Sequence, residues 1–424
     1  DSQYFSPLTV DAQAVGGKIY YSSFNNMTWL NENILSYQKQ LNPDNYIEAL
    51  GGVTRQQSTS DQISISGQGL PTTGGLKTIS AAAIINNSSE IPSSWYLTSF
   101  LSRVNYRFKN KFLASFSFRA DASSRFPTNK RVGYFPSASI GYNLAEESFL
   151  KDGNVFDALK FRVSYGLTGD QEIGNFQAIS YWRPSKYNGS PGLKPGNLGN
   201  PNLSWQSNAI FNVGLDFSIL HGVLDGSVEY FNSQRTKLLG QIPQAGTTGF
   251  KNVTANSGQV VDKGFEVQLN SRNIKTTSFS WTSSFNISFL KNRIKNLAVD
   301  GQLISSYNDG APTHILKIGQ PIGTFIGVKF AGVDQQTGDA MYFNNLGAKI
   351  RADQVNFSRD ETIIGKARPD YFGGLGNNLV YNNWELNISM PFSIGNQVFN
   401  TIRSTTEALG WSSASNPGAA STAY

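Results

Sequence analysis

The feature that most narrows the folds open to this chain is a run of oily side chains at alternate positions, repeated in several places. In 281–289, Trp281, Phe285, Ile287 and Phe289 are separated by Thr282, Ser284, Asn286 and Ser288. Phe112, Ala114, Phe116 and Phe118 alternate with Ser115, Ser117 and Arg119. Phe211, Val213, Leu215 and Phe217 alternate with Asn212, Gly214 and Asp216, and Phe265, Val267 and Leu269 with Glu266, Gln268 and Asn270. Successive strand residues point to opposite faces, so each run makes a ribbon with one oily and one polar side. A soluble β-sandwich and a membrane barrel both need such ribbons, and alternation alone leaves the two level. The polar members tilt the balance. Arg162 between Phe161 and Val163, and Glu385 between Trp384 and Leu386, suit a wet lumen at least as well as an outer surface.

The spacing of the ribbons adds a second constraint. The pattern predicts about a dozen strands, near 28–38, 45–57, 95–108, 111–121, 134–146, 157–167, 203–217, 221–233, 257–271, 277–291, 370–381 and 384–393. Connections at Phe108–Lys111, Leu220–Gly222, Arg272–Thr276 and Tyr381–Asn383 are short, whereas 58–94, 168–202, 234–256 and 292–369 are long, polar and rich in Gly, Asn and Pro. Short turns on one side and long loops on the other are what an up-and-down transmembrane barrel produces, because each strand reverses the last. A Greek-key sandwich has no reason to sort its connections by length. A compact soluble domain would also struggle with a structureless connection as long as 292–369. The expected fold is therefore all-β, a transmembrane antiparallel β-barrel with long extracellular loops. Residue 1 falls in loop-like sequence and 412–424 reads as another loop, so the chain is expected to be an internal piece of a larger barrel.

Composition agrees and removes other classes. Only 15% of residues are charged, while Gly, Phe and Tyr reach 41, 28 and 18 copies, a bias toward strands and turns rather than helices. The net charge of +6 is spread without a basic run, so no nucleic acid is expected as a partner. No apolar run is long enough for a helical span. The negative mean hydropathy is compatible with barrel strands, whose polar half cancels the oily half. Cysteine is absent and only His221 and His314 occur, which leaves no thiol chemistry or His-based zinc cluster and points away from an enzyme. Neither a cofactor nor a metal is expected. Gly373-Gly374-Leu375-Gly376 lacks the strand-to-helix setting of a phosphate cradle.

Several motifs then carry a family resemblance. Arg119-Ala-Asp-Ala-Ser-Ser-Arg125-Phe126 followed by Gly133-Tyr-Phe-Pro136-Ser137 resembles the SusC/RagA family of TonB-dependent transporters from Bacteroidetes outer membranes. So do, in the same order, Leu159 to Gln171 (LKFRVSYGLTGDQ) with Ile173-Gly174, Gly199-Asn-Pro-Asn-Leu-Ser-Trp205, and Asn212-Val-Gly-Leu-Asp-Phe217. Asn256-Ser-Gly258 with Lys263-Gly-Phe-Glu266, Gly319-Gln-Pro-Ile-Gly323, and Gly365 with Pro369-Asp370 complete the series. The similarity runs over about 95–395. Ala122 stands where the family has Gly, and Asp170 where it has Asn. The resemblance implies a 22-stranded barrel of which 1–424 is one part, the plug, TonB box and amino-terminal extension lying outside this chain. It also implies an active importer of glycan or peptide fragments, partnered by a SusD-like surface lipoprotein, the TonB complex and outer-membrane lipid. A structural or secretion-associated barrel and a passive porin are the competing readings.

The remaining candidates are local. Phe176, Tyr181, Trp182 and Tyr187 sit among Gly, Pro and Asn in 168–202, and exposed loop aromatics suit stacking on sugar rings or peptide side chains. Packing of the loop on itself or under a lid explains them equally well. Arg119–Phe126 reads as a ligand clamp or, more simply, as a strand end and turn held by Asp121, Ser123 and Ser124. Lys263 and Glu266 read as an ion pair inside the barrel. Gly365 and Pro369-Asp370 read as the bend from a loop back into a strand.

Overall fold

The computed structural model describes residues 2–72, 76–151, 155–188, 190–305 and 312–400; the loop expected at 412–424 lies outside them. Thirteen strands make one antiparallel sheet in sequence order. They are β1 (Ser2–Phe5), β2 (Lys18–Asn42), β3 (Asn45–Gln68), β4 (Ile84–Phe108), β5 (Phe112–Ser123), β6 (Val132–Asn143) and β7 (Phe156–Asp170). Then follow β8 (Gln206–Ile219), β9 (Leu224–Thr236), β10 (Gln259–Lys275), β11 (Phe279–Asn296), β12 (Tyr371–Tyr381) and β13 (Trp384–Ile394). All twelve expected strands are present. Ser2–Phe5, expected as loop, is the thirteenth, pairing with Lys18–Tyr21.

Register carries the alternation across the whole sheet. Phe217, Leu215, Val213 and Phe211 on β8 stand opposite Leu159, Phe161, Val163 and Tyr165 on β7, all on one face. Phe285, Ile287 and Phe289 on β11 line up with Leu269, Val267 and Phe265 on β10, and with Leu375, Gly373 and Tyr371 on β12. The oily face is graded. Phe108, Phe112 and Tyr142 stack near the short-turn end, the last two with centroids 4.7 Å apart. Aliphatic residues such as Val104, Ile140, Val163, Val228 and Val267 follow. A second aromatic row closes the band, with Phe118 on Tyr134, Tyr230 on Phe265 and Phe289 on Tyr371. Aromatic–aliphatic–aromatic is the order that a bilayer imposes, since amphipathic rings settle at the two water interfaces.

The connections at 43–44, 109–111, 144–155, 220–223, 276–278 and 382–383 lie at one end of the sheet and none exceeds 12 residues, whereas the other end carries 124–131 and 6–17 together with every longer one, 69–83, 171–205, 237–258 and 297–370. Two expectations about the long ones need correction. The stretch 58–94 is largely strand, because β3 and β4 continue pairing to Gln68 and Ile84. At about 3.3 Å per residue, β2, β3 and β4 reach roughly 80 Å, far beyond the ~25 Å oily band. The excess was hidden because a hairpin standing in water on both sides has no oily face to alternate. The stretch 292–369 is likewise not structureless. Strands at Gln302–Ser305, Pro312–Leu316, Thr324–Gly327 and Thr362–Lys366 form one small sheet, and Phe330–Val333, Ala340–Phe343 and Lys349–Arg351 another. No helix among the described residues is long and apolar enough to cross a membrane.

Candidate transport lumen and loop platform

The polar face of the sheet begins with a charge network spanning three strands. Arg162 on β7 donates from Nε to both oxygens of Asp216 on β8 (3.1 Å each) and from Nη2 to Glu229 on β9 (2.6 Å). To reach β9 the guanidinium must pass over β8, and the residue beneath it is Gly214, register partner of both Arg162 and Glu229. A Cβ on Gly214 would lie 2.7 Å from the Arg162 Cζ. These three charged groups are thus paired side to side across neighbouring strands. Glu385 on β13 also points inward, bonded to Asn378 and Asn387.

Further along the same face, Asp262 on β10 accepts from Arg235 on β9 and Asn292 on β11. Asn292 Oδ1 in turn accepts from the Ile322 backbone at 2.7 Å. The Gly319-Gln-Pro-Ile-Gly323 motif is thereby held to the end of β11, helped by Ile294 N donating to Gln320 O and Gly319 N donating to Ile294 O, each at 2.9 Å. Lys263 and Glu266 do not form the expected interior pair. Being three residues apart on one strand they project to opposite faces, and Glu266 accepts from Ser288 while Lys263 lies on the oily side beside Lys291.

At the long-loop end of the polar face, motifs far apart in sequence meet in one apolar cluster. Phe126, Phe135, Leu203 and Trp205 are buried together, flanked by Leu97, Leu167, Ile173, Ala178 and Leu239. Trp205 packs 5.0 Å from Phe126 and 5.4 Å from Phe135, and its indole N–H donates to the Arg131 carbonyl at 2.9 Å. Phe135 lies across Gly133 and Gly169, where a Cβ would come within 2.5 and 2.0 Å of its ring. Polar bonds tie the loops around this core. Asn256 accepts from Ser204 N (2.8 Å) and donates to Ser204 O (2.7 Å), and Asn200 donates to Thr254 O (3.0 Å). Arg125 lies over Trp95 (4.7 Å) and donates to Asn175 Oδ1 and Gln171 O. Burial draws its pKa down, against the opposing pull of Glu172 and Asp170. The 119–126 segment is therefore a strand end and turn: Arg119 grips Asp121, Ser123 Oγ accepts from Arg125 N, and Ser124 Oγ accepts from Tyr96 N.

From this platform the loop 171–205 sends out a hairpin of Tyr181–Tyr187 paired with Ser190–Asn197. Two of the four candidate aromatics are engaged at its root, where Phe176 meets Tyr181 edge to face at 6.4 Å. Trp182 and Tyr187 project outward, 66% and 87% exposed. Glu229 was not singled out by sequence reasoning, and Gly214, Asp216 and Trp205 were quoted only within patterns and motifs, without the roles they have here. The available signal was the parity of each polar residue within its strand. Among the described residues no group of His, Asp and Glu is arranged to hold a metal ion.

An oil-out, water-in antiparallel sheet with a charge-paired interior and a loop platform at one rim defines an outer-membrane β-barrel of the receptor type. The chain belongs to the family described as TonB dependent receptor-like, beta-barrel, which it matches over residues 2–389. It is 30% identical over 420 residues to TonB-dependent receptor P3 of Formosa agariphila, covering 93% of this chain and 42% of that protein. It is also 30% identical over 324 residues to TonB-dependent receptor SusC of Bacteroides thetaiotaomicron, covering 72% and 32% respectively. Its fold is similar to that of the RagAB peptide transporter, with a TM-score of 0.81 at 24% identity over 92% of this chain and 44% of that one. The SusC/RagA resemblance of the motifs therefore holds, and the chain spans less than half the length of these relatives.

Proposed function

We propose that this chain forms an arc of the wall of an energised outer-membrane importer that takes up glycan or peptide fragments, capped by a SusD-like surface lipoprotein and driven by the TonB complex. The observation that carries the reading is the sorting of the two rims: every long, folded excursion stands on one side, over a polar lumen. Residues 1–424 are read as part of one barrel domain. The free edges of β13 and of most of β2 are unpaired among the described residues, and hydrocarbon does not tolerate unpaired backbone, so further strands close the cylinder. Phe176, Tyr181, Trp182 and Tyr187 are read as the part of the rim that meets ligand or lid. Trp182 and Tyr187 supply the exposed rings, which favour sugar faces, while the named RagAB peptide transporter of similar fold favours peptides.

The test uses cells carrying the full-length receptor, supplied with a labelled oligosaccharide or peptide, with and without a protonophore. Uptake that stops with the protonophore, together with a closed pore for the purified receptor in planar bilayers, is the expected outcome. Uptake that continues, with open conductance, would make the barrel a passive porin. Lipoprotein docking without any uptake would make it a structural barrel.

A further inference from the structure

We propose that the outward face of β10 and β11, just beyond the second aromatic row, binds a phosphate-bearing lipid headgroup of the outer leaflet through Lys263, Lys291 and Arg293. Phe265 and Phe289 are register partners in that row. Two residues further on the same face stand Lys263 and Lys291, again direct partners, and two further still Val261 and Arg293. All three cations are exposed. Two like charges placed opposite each other on a sheet repel, and this pair is kept without a counter-charge from the protein. Among the described residues none of the three is held in an ion pair or hydrogen bond. The nearby carboxylates are turned elsewhere: Asp262 to Arg235, Glu266 to Ser288, Asp370 to Lys366.

Height on the wall selects the ligand. A step of two strand residues is about 6–7 Å, less for a tilted strand, and the headgroup layer extends roughly 5–7 Å beyond the hydrocarbon. Aromatic rings mark the boundary of the hydrocarbon, so the lysine pair sits within the headgroup layer and Arg293 at its outer side. The charge is local. One step beyond the aromatic row the neighbouring strands offer Ala120, Val132, Ala209 and Asn232 instead. A patch continuous with the lipid-facing band, with two cations directly opposed on paired strands, a third one step above them and no carboxylate among them, fits a lipid whose headgroup carries clustered phosphates.

The experiment uses the full-length receptor purified in detergent, with the triple variant Lys263→Gln, Lys291→Gln, Arg293→Gln and the charge-keeping variant Lys263→Arg, Lys291→Arg, Arg293→Lys. Probes are lipid A bearing two phosphates, fully dephosphorylated lipid A, and inorganic phosphate; binding is read from the shift of the thermal transition across a titration. Bisphosphorylated lipid A should stabilise the wild type and the charge-keeping variant, and bind the glutamine variant about a hundredfold more weakly, with the difference shrinking in high salt. Retention of the heat-dependent electrophoretic shift of a folded barrel checks that the glutamine variant is intact. Equal binding by an intact glutamine variant, equal stabilisation by dephosphorylated lipid A, or the same shift from inorganic phosphate alone would each overturn the proposal. So would a glutamine variant that loses a co-purifying surface lipoprotein while binding lipid A normally.

Discussion

At the scale of single residues, glycines decide where large side chains can lie. Gly214 is needed for the space above it rather than for any unusual backbone angle, because the Arg162 guanidinium crosses there. Replacing Gly214 by Val should break the Arg162–Glu229 contact and destabilise the full-length receptor in detergent by about 1–3 kcal/mol. If the steric account is right, adding Arg162→Ala should cost much less on the Gly214→Val background than on the wild type. Fully additive effects would contradict it. Trp205 is the matching case at the rim. Trp205→Ala removes the ring that joins Phe126 to Phe135 and orphans the Arg131 carbonyl, at a cost of about 3–5 kcal/mol. Limited proteolysis should then cut first within 171–205, and an unchanged cleavage pattern would show that the cluster does not anchor that loop.

At the scale of elements, legibility followed the solvent. Wherever lipid wets one face, the sequence must alternate, and β5, β8, β10 and β11 could be read to within a few residues. Above the bilayer that demand disappears, so the upper parts of β3 and β4, with Thr59, Ser60, Ser64 and Ser66 against Ser94, Ser93, Ser89 and Asn87, looked like loop. The strands of the 297–370 excursion are too short for any period to show. Its order comes from point contacts instead. The buried Asp360 carboxylate accepts from Arg359 (2.9 and 3.0 Å), from Asn356 N (2.9 Å) and from Asn345 N (3.3 Å). The Arg359 bonds and then the backbone donors hold its pKa well below the ordinary carboxylate value. A depressed folded-state pKa gives stability that is present in full above the unfolded value of about 3.9 and lost as pH falls through the lower folded one. Hydrogen exchange in 344–360 should therefore stay constant from pH 7 to 4, after correction for the intrinsic rate, and rise only in stronger acid. Asp360→Asn turns amide hydrogens toward backbone donors and should speed that exchange about tenfold at neutral pH. Loosening already near pH 5 would be incompatible with this role.

For the whole molecule, the wall was legible and the platform was not. The motifs around Arg125, Phe135, Trp205 and Asn256 could be quoted from the sequence, yet nothing in their spacing says that they converge, because strands β6 to β9 and their connections separate them. The outward side of Lys263 was legible from its parity with Phe265, and only its opposition to Lys291 needed the register. The two rows of outward rings, from Phe112 to Tyr371, make a prediction for the complete receptor. It should keep its β-sheet circular dichroism and run as a single species only in detergent or lipid. A monodisperse, folded receptor in plain buffer would contradict the oily-outside assignment.

The sorting of connections by length also gives the molecule a direction in time. Each pair of strands is a unit whose minimal bend never has to leave the compartment where the chain starts, whereas the bulky polar headpieces, including one with two sheets of its own, must be carried through an apolar barrier before the staves can seal. Insertion can therefore run only one way. Once folded on the far side those headpieces act as stoppers, so the cylinder cannot slip back out without first undoing them.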